Sequence, residues 1–354
     1  MKFILFSDIH FHNWPAHAKI LSNGLNSRLV HTSERMKDII QIAVENKADG
    51  LIFAGDFFHV KKVDSDVIDV AVNAVSHCPL PIWGIPGNHD MASFVQQTHS
   101  ARAVSGKVRF LDNVNGRSVQ LDDGSVIYGI PFTARQADIK AELSRVPKNT
   151  KILIMHQGVF GAVMGEGYIG DTEDSIQPKD LYGKAELTVC GHFHTAQFIK
   201  IQEGETYKVN GPTTFNYSSG NSVLIPGAVE QHNFGDKGQE RGCWLVDTNK
   251  KSLQFFPLSS PKFVEANDQT TESECRGNYV RFLAKGAKRK ESLASVSESF
   301  VEDVSPEATC GSERDYHLST SDSMEKVLQT YIANANSQNL DVARLLSEGK
   351  RLLA

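Results

Sequence analysis

Five short polar clusters, each directly behind an apolar run, constrain this chain more than any other feature. Asp8 and His10 follow Phe3 to Ser7. Gly55-Asp56-Phe57-Phe58-His59 follows Gly50 to Ala54, and Gly87-Asn88-His89-Asp90 follows Ile82 to Ile85. His156 follows Lys151 to Met155, and Gly191-His192-Phe193-His194 follows Leu187 to Cys190. Continuous apolar runs of this length read as buried strands. Asp, Asn and His at the ends of several strands read as one site assembled along one sheet edge, where open α/β sheets bind their ligands.

The stretches between the runs support that reading. Met36, Ile39, Ile40, Ala43 and Val44 recur at helical spacing, which predicts a helix over 34–46 capped by Thr32 or Ser33. Val67, Ile68, Ala71, Val72 and Val75 predict a second helix, capped by Asp64 or Ser65. Strand, helix, strand, helix, strand is the grammar of a mainly parallel layer. A helix is expected over 91–105 and another over 134–146. The glycine-rich stretch 158–177, with Asp171, Glu173 and Asp174, is expected to be a long loop over the site. Short strand-like pieces after Cys190 suit a second, largely antiparallel sheet. The architecture that follows is a four-layer α/β/β/α sandwich over 1–260. A small cap and linker is expected over 261–318, with 265–276 as polar linker. A helical hairpin over 319–354 follows from the i, i+3, i+4 pattern of Met324, Val327, Leu328, Tyr331 and Ile332.

Composition removes other classes. No apolar run approaches the length needed to span a bilayer, and Asp8, His10, His12 and Asn13 cut the N-terminal apolar stretch too short for a secretory signal, so a cytoplasmic protein without a membrane partner is expected. The five cysteines are scattered and form no Cys-x-x-Cys pair, which argues against a thiolate zinc site or a disulfide framework. The formal net charge is −5. Any nucleic-acid footprint must then be a local patch or belong to a partner; Lys61, Lys62, Arg102, Lys107 and Arg135 are the candidates.

The donor set suits two divalent ions acting on a phosphate ester. Two ions about 3.5–4 Å apart need a bridging carboxylate to offset their charge. Asp56 is the expected bridge. Asp8, His10 and His194 are the expected remaining ligands of one ion, and Asn88, His156 and His192 those of the other. An oxygen and nitrogen shell without sulfur suits Mn, Fe or Zn. His89, next to Asn88, is the expected acid toward the leaving oxygen. Asp90 is expected to orient it or a ligand histidine, and His59 to contact phosphate or aid protonation. His12, His17, His31, His77, His99, His232 and His317 are read as incidental, His12 least so.

Together, Asp-x-His at 8–10, Gly-Asp at 55–56, Gly-Asn-His-Asp at 87–90, His156 and Gly-His-Phe-His at 191–194 resemble the signature of the calcineurin-like metallophosphoesterases. Within that superfamily the chain looks like the SbcD-type DNA repair nucleases and phage recombination endonuclease subunits. The features that carry this are Gly-Asp-Phe-Phe-His59, the closing stretches Ile225-Pro226-Gly227-Ala228, Asn233-Phe234-Gly235-Asp236 and Gly242 to Asp247, and the terminal helical pair. The resemblance implies exonuclease action on duplex ends and endonuclease cutting of single strands or hairpins. It favours Mn2+, with Mg2+, Fe2+ or Zn2+ as alternatives. It also implies DNA as substrate, an SbcC-like coiled-coil ATPase as partner, and a homodimer of the nuclease subunit. The competing expectations are a phosphodiesterase or phosphomonoesterase for small substrates, and a scaffold that has lost catalysis.

Overall fold

The run Lys2–Phe6 lies in the middle of a seven-stranded sheet. Its alternate residues face opposite ways, as the strand repeat requires. Ile4 and Phe6 point to one packed layer and Phe3 and Leu5 to another, all fully buried. A strand covered on both faces has no polar positions, which is why the sequence shows a continuous apolar run. The computed structural model describes residues 1–93, 98–165, 168–169, 175–282 and 290–302.

In the first sheet Lys2–Phe6, Gly50–Phe53, Ile82–Gly84 and Val108–Phe110 run parallel in that order. On the other side of Lys2–Phe6 come Gly242–Asp247, Ser252–Pro257 and Thr213–Asn216, all paired antiparallel. The second sheet runs Glu205–Lys208, Gln197–Lys200, Ser222–Ile225, Leu187–Gly191, Thr150–His156, Val126–Ile130, Ser118–Gln120. Its four central strands are parallel and its outer pairings antiparallel. The expectation of a largely antiparallel second sheet built from the later strands is thus corrected. The strands at 213–216, 242–247 and 252–257 complete the first sheet instead.

Three apolar layers hold four structural layers together. Helices α1 (Ser27–Glu45) and α2 (Ser65–Ser76) place Met36, Ile39, Ala71 and Val75 on the outer face of the first sheet. Phe3, Leu5, Ile52 and Trp244 meet Ile152, Ile154, Val189 and Phe198 between the sheets. Helices α3 (Gln136–Ser144) and α4 (Pro178–Leu181) bring Ile139, Leu143 and Leu181 onto Leu153 and Met155 of the second. Each fully buried large apolar side chain contributes roughly 1.5–3 kcal/mol of transfer free energy. The α/β/β/α sandwich follows from stacking two sheets whose central strands are buried on both faces.

Several boundaries differ from the sequence reading. Helix α1 begins seven residues earlier than expected, with Asn26 accepting from the peptide N–H groups of Arg28 and Leu29. The 91–105 region is not one helix: Met91–Ser93 pairs with Thr98–His99, and a 3-10 turn, Ser100–Val104, follows. The expected linker at 265–276 is ordered too. Phe263–Ala266, Tyr279–Phe282 and Ser299–Glu302 form a parallel three-stranded sheet, with α5 (Glu272–Cys275) and α6 (Lys290–Val296) as the crossovers. Thr271 and Glu274 close a capping box on α5. The expected hairpin over 319–354, the end of the cap, and Asp171, Glu173 and Asp174 lie outside the described residues. Among the described residues no helix is long and apolar enough to cross a membrane.

Candidate metal centre

The carboxyl ends of the strands deliver all five clusters to one point. The chain turns sharply there: Asp8, His10, Asp56 and His192 all have positive φ, at 52°, 55°, 58° and 91°. Left-handed backbone at a residue other than glycine costs on the order of 1–3 kcal/mol and persists where surroundings hold it. The turn at the second strand end is possible because Gly55 has φ 103°, and a Cβ there would lie 2.1 Å from His156 Nδ1. Gly87 has no space either: its Cβ would lie 2.1 Å from Asp56 Oδ1.

The donors fall into two groups around Asp56. Asp8 Oδ1 is buried and accepts no hydrogen bond, while ring Nε2 atoms of His10, His156 and His194 stand 3.9, 4.0 and 3.9 Å from it. His10 Nε2 and His194 Nε2 are 3.3 Å apart. On the other side Asn88 Oδ1 is 3.1 Å from His156 Nε2 and 3.0 Å from His192 Nδ1. Asp56 Oδ2 lies 3.7 Å from His10 Nε2 and 3.3 Å from His156 Nε2. Asp8, His10 and Asp56 are close enough for one ion to touch all three, and so are His10, His194 and His232. An orphaned buried carboxylate oxygen ringed by imidazole nitrogens is what a cation site requires, so the donor set fits divalent metal.

Electrostatics agree. Burial alone would push His156 down, but Asp56 and Asp8 outweigh it and hold the imidazole up at about 9. The two carboxylates thus favour positive charge at the centre of the cluster. Burial, then the neighbouring histidines, pushes His10 well below its ordinary value. Burial and His156 push His192 down to about 3. Neutral imidazole is the ligating form. His156 Nδ1 lies 2.7 Å from the Ala54 carbonyl, which only accepts, so Nδ1 keeps its proton and Nε2 is the nitrogen that would give up its proton to bind an ion.

The remaining expected residues surround this core. The His89 peptide N–H donates to Asp56 Oδ1 at 2.9 Å. Its ring Nδ1 donates to the His59 carbonyl at 2.8 Å, which leaves Nε2 as the free ring nitrogen. The His59 ring stacks on that of His89 at 4.8 Å and its Nδ1 is 3.3 Å from His10 Nδ1. Asp90 is placed differently from the expected histidine partner. Its two oxygens accept the peptide N–H groups of Phe57, Phe58 and Gly87 at 2.9–3.0 Å, tying the second and third clusters together. Burial and Asp56 push its carboxyl up to about 7.

Sequence reasoning passed over His232. The structure buries it beside His10 and His194, at ring separations of 4.8 and 5.1 Å. Trp14, in the site's first connection, stacks on it. No apolar run directly precedes either residue, so the signal that marks the five clusters is missing at both.

A family model for calcineurin-like phosphoesterases matches residues 1–196, which carry all five clusters. The chain belongs to the calcineurin-like phosphoesterase family. Its His and Asp cluster is suited to a dimetal centre. Similar curated proteins are DNA double-strand break repair proteins Mre11. That of Sulfurisphaera tokodaii is 27% identical over 198 residues, covering 53% of this chain and 49% of the relative. That of Saccharolobus solfataricus is 26% identical over 246 residues, covering 65% and 60%. The matched part of the phosphoesterase thus spans about half the length of these relatives. A solved metallophosphoesterase from Sphaerobacter thermophilus aligns over 73% of this chain and 89% of its own, at 12% identity and a TM-score of 0.33.

Proposed function

We propose that this phosphoesterase is a DNA nuclease that hydrolyses phosphodiesters with two metal ions, Mn2+ being the favoured pair. The observation that carries the two-ion reading is Asp56 Oδ2, within 4 Å of a ring nitrogen from each donor group. Asp8, His10 and His194 would hold one ion and Asn88, His156 and His192 the other, with Asp56 within reach of both. When bound, such ions polarise the phosphate and lower the pKa of a water enough for it to attack phosphorus. The chain's own residues do the rest. His89 is fixed through Nδ1 on the His59 carbonyl, so its Nε2–H, when protonated, is the ring donor left to give a proton to the departing sugar oxygen. As a bond from the water oxygen to phosphorus forms, that water gives up a proton to solvent, the bond from phosphorus to the sugar oxygen breaks, and His89 supplies the proton that the departing oxygen takes. The stack with His59 keeps the ring from rotating away.

DNA as substrate is supported by the similarity to double-strand break repair relatives. The same reading proposes a catalytic domain over 1–260, a cap over 261–318, an SbcC-like ATPase gripped by 319–354, and pairing of two nuclease subunits. The test is cleavage of a linear duplex and of a hairpin with Mn2+ or Mg2+, alone and with an SbcC-like ATPase. His89→Ala runs alongside, with metal content measured on both proteins. Expected are Mn-dependent cutting and a loss of roughly 10²–10⁴-fold in His89→Ala with metal retained. Hydrolysis of a small phosphodiester without any DNA cleavage under these conditions would overturn the nuclease reading and leave the family assignment standing.

A further inference from the structure

The family match ends at residue 196, yet a later segment presses against the centre from behind. Residues 226–241 connect two strands that lie in different sheets, Ser222–Ile225 and Gly242–Asp247. Three buried side chains in it, His232, Asp236 and Arg241, point at the site rather than at solvent.

His232 is held at four points, while its ring Nδ1 is buried without a hydrogen-bond partner. Its peptide N–H donates to Asp236 Oδ2 at 2.8 Å, and its carbonyl accepts from Arg28 at 2.9 Å. Its ring stacks on Trp14 at 5.5 Å with 20° between planes. Its Nε2 lies 3.2 Å from the backbone carbonyl oxygen of Asp8. A carbonyl only accepts, so Nε2 carries the proton and donates. Asp8 is a left-handed residue, and this bond holds the peptide that follows it in the orientation the turn needs. Asp236 acts on the second ligand. Its Oδ2 is 3.8 Å from His194 Nδ1, and its Oδ1 is held by Arg241 at 2.8 Å. Arg241 also donates to the His194 carbonyl, which the Ala228 peptide N–H reaches at 3.0 Å as well. A carboxylate behind the far ring nitrogen turns the near one, Nε2, toward the ion.

These contacts are one-sided. They reach Asp8 and His194, which share one donor group. In the other group His156 is fixed by the Ala54 carbonyl, and Asn88 by the two rings it touches. We propose that 226–241 is a brace for one half of the centre. His232 and Asp236 are its positioning residues, and they set the affinity of the ion held by Asp8, His10 and His194 without setting that of its neighbour. The inference rests on the two-ion reading above.

The test is a Mn2+ titration of the full chain, with free Mn2+ read by electron paramagnetic resonance, so that each ion's affinity is obtained without any activity. The wild-type protein should bind two ions. His232→Phe keeps the ring on Trp14 but loses the donor, and Asp236→Asn keeps size but loses charge. In both, one ion should bind as in the wild type and the other roughly 10–100-fold more weakly, the usual effect of losing a partner behind a ligand. His232→Gln retains an N–H donor and should recover part of the loss, which a merely structural role would not produce. Circular dichroism and thermal melting identify a variant that fails to fold, and the isosteric Asp236→Asn then decides. Two unchanged affinities, or equal weakening of both ions, would overturn the brace. A wild-type protein that binds fewer than two ions would overturn the two-ion reading itself.

Discussion

Gly87→Ala tests how tightly the centre is assembled. A methyl on Gly87 would lie 2.1 Å from Asp56 Oδ1, 2.4 Å from the Asp56 peptide nitrogen and 2.7 Å from its carboxyl carbon. Ordinary contact begins near 3.4 Å, so the two clusters must part by about 1 Å. The obstacle includes backbone, and the Asp56 carboxylate is already engaged by the His89 peptide N–H. Gly87 is held in turn by Asp90, which also binds Phe57 and Phe58, so the strain has no free side chain into which to relax. Overpacking of this kind costs about 1–3 kcal/mol of stability. A displacement of ~1 Å at the reacting groups costs on the order of 10²-fold in rate. The assay is hydrolysis of a small phosphodiester such as bis-p-nitrophenyl phosphate, with metal content and melting temperature measured on the same sample. Gly106→Ala is the control, because a methyl there meets nothing within 4 Å. A Gly87→Ala protein within threefold of wild-type rate would refute the packing described here.

Two further predictions concern stability. Phe198 is fully buried between the sheets and stacks on Phe215 at 5.2 Å, so Phe198→Ala should cost about 3–5 kcal/mol in a denaturant titration. Glu230 is buried against α1, and burial pushes its carboxyl from 4.5 up to about 7. The Thr32 hydroxyl shares its one proton between the Arg28 carbonyl at 3.0 Å and Glu230 Oε1 at 2.5 Å, so it offers the carboxylate only part of a hydrogen bond. A raised folded-state pKa means that the stability is fully present below pH 4.5 and is lost as pH rises through 7. Glu230→Gln should remove that slope and gain up to about 3 kcal/mol at pH 8, read from melting curves between pH 5 and 8.

The strand-end clusters were legible because their ingredients are local. A buried strand must be apolar, and a residue that leaves it at the sheet edge can carry Asp, His or Asn without cost to the core. Ser222–Ile225 and Gly242–Asp247 were legible for the same reason, but the sheet membership of Gly242–Asp247 was not, since its pairing with Lys2–Phe6 spans most of the chain. Helix α1 was read short because Thr32 and Ser33 are buried polar residues that break the apolar spacing, and Thr32 reaches Glu230, 198 residues away. The 91–105 region misled for a tertiary reason: His99 pairs with Asp112 at 3.1 Å and the Ser100 peptide N–H bonds the Asp90 carbonyl, and both draw the chain out of a helix. The polar 265–276 stretch hid a strand and a capped turn because only Ala266 and Cys275 of it enter the small core. His232 and Trp14 were illegible for the opposite reason, being set by where distant loops meet.

The two-ion centre is tested most directly by anomalous diffraction from crystals soaked in Mn2+. The account predicts two peaks, one on each side of Asp56 Oδ2, the first against Asp8, His10 and His194 and the second against Asn88, His156 and His192. A single peak, or peaks that leave Asp56 untouched, would contradict it.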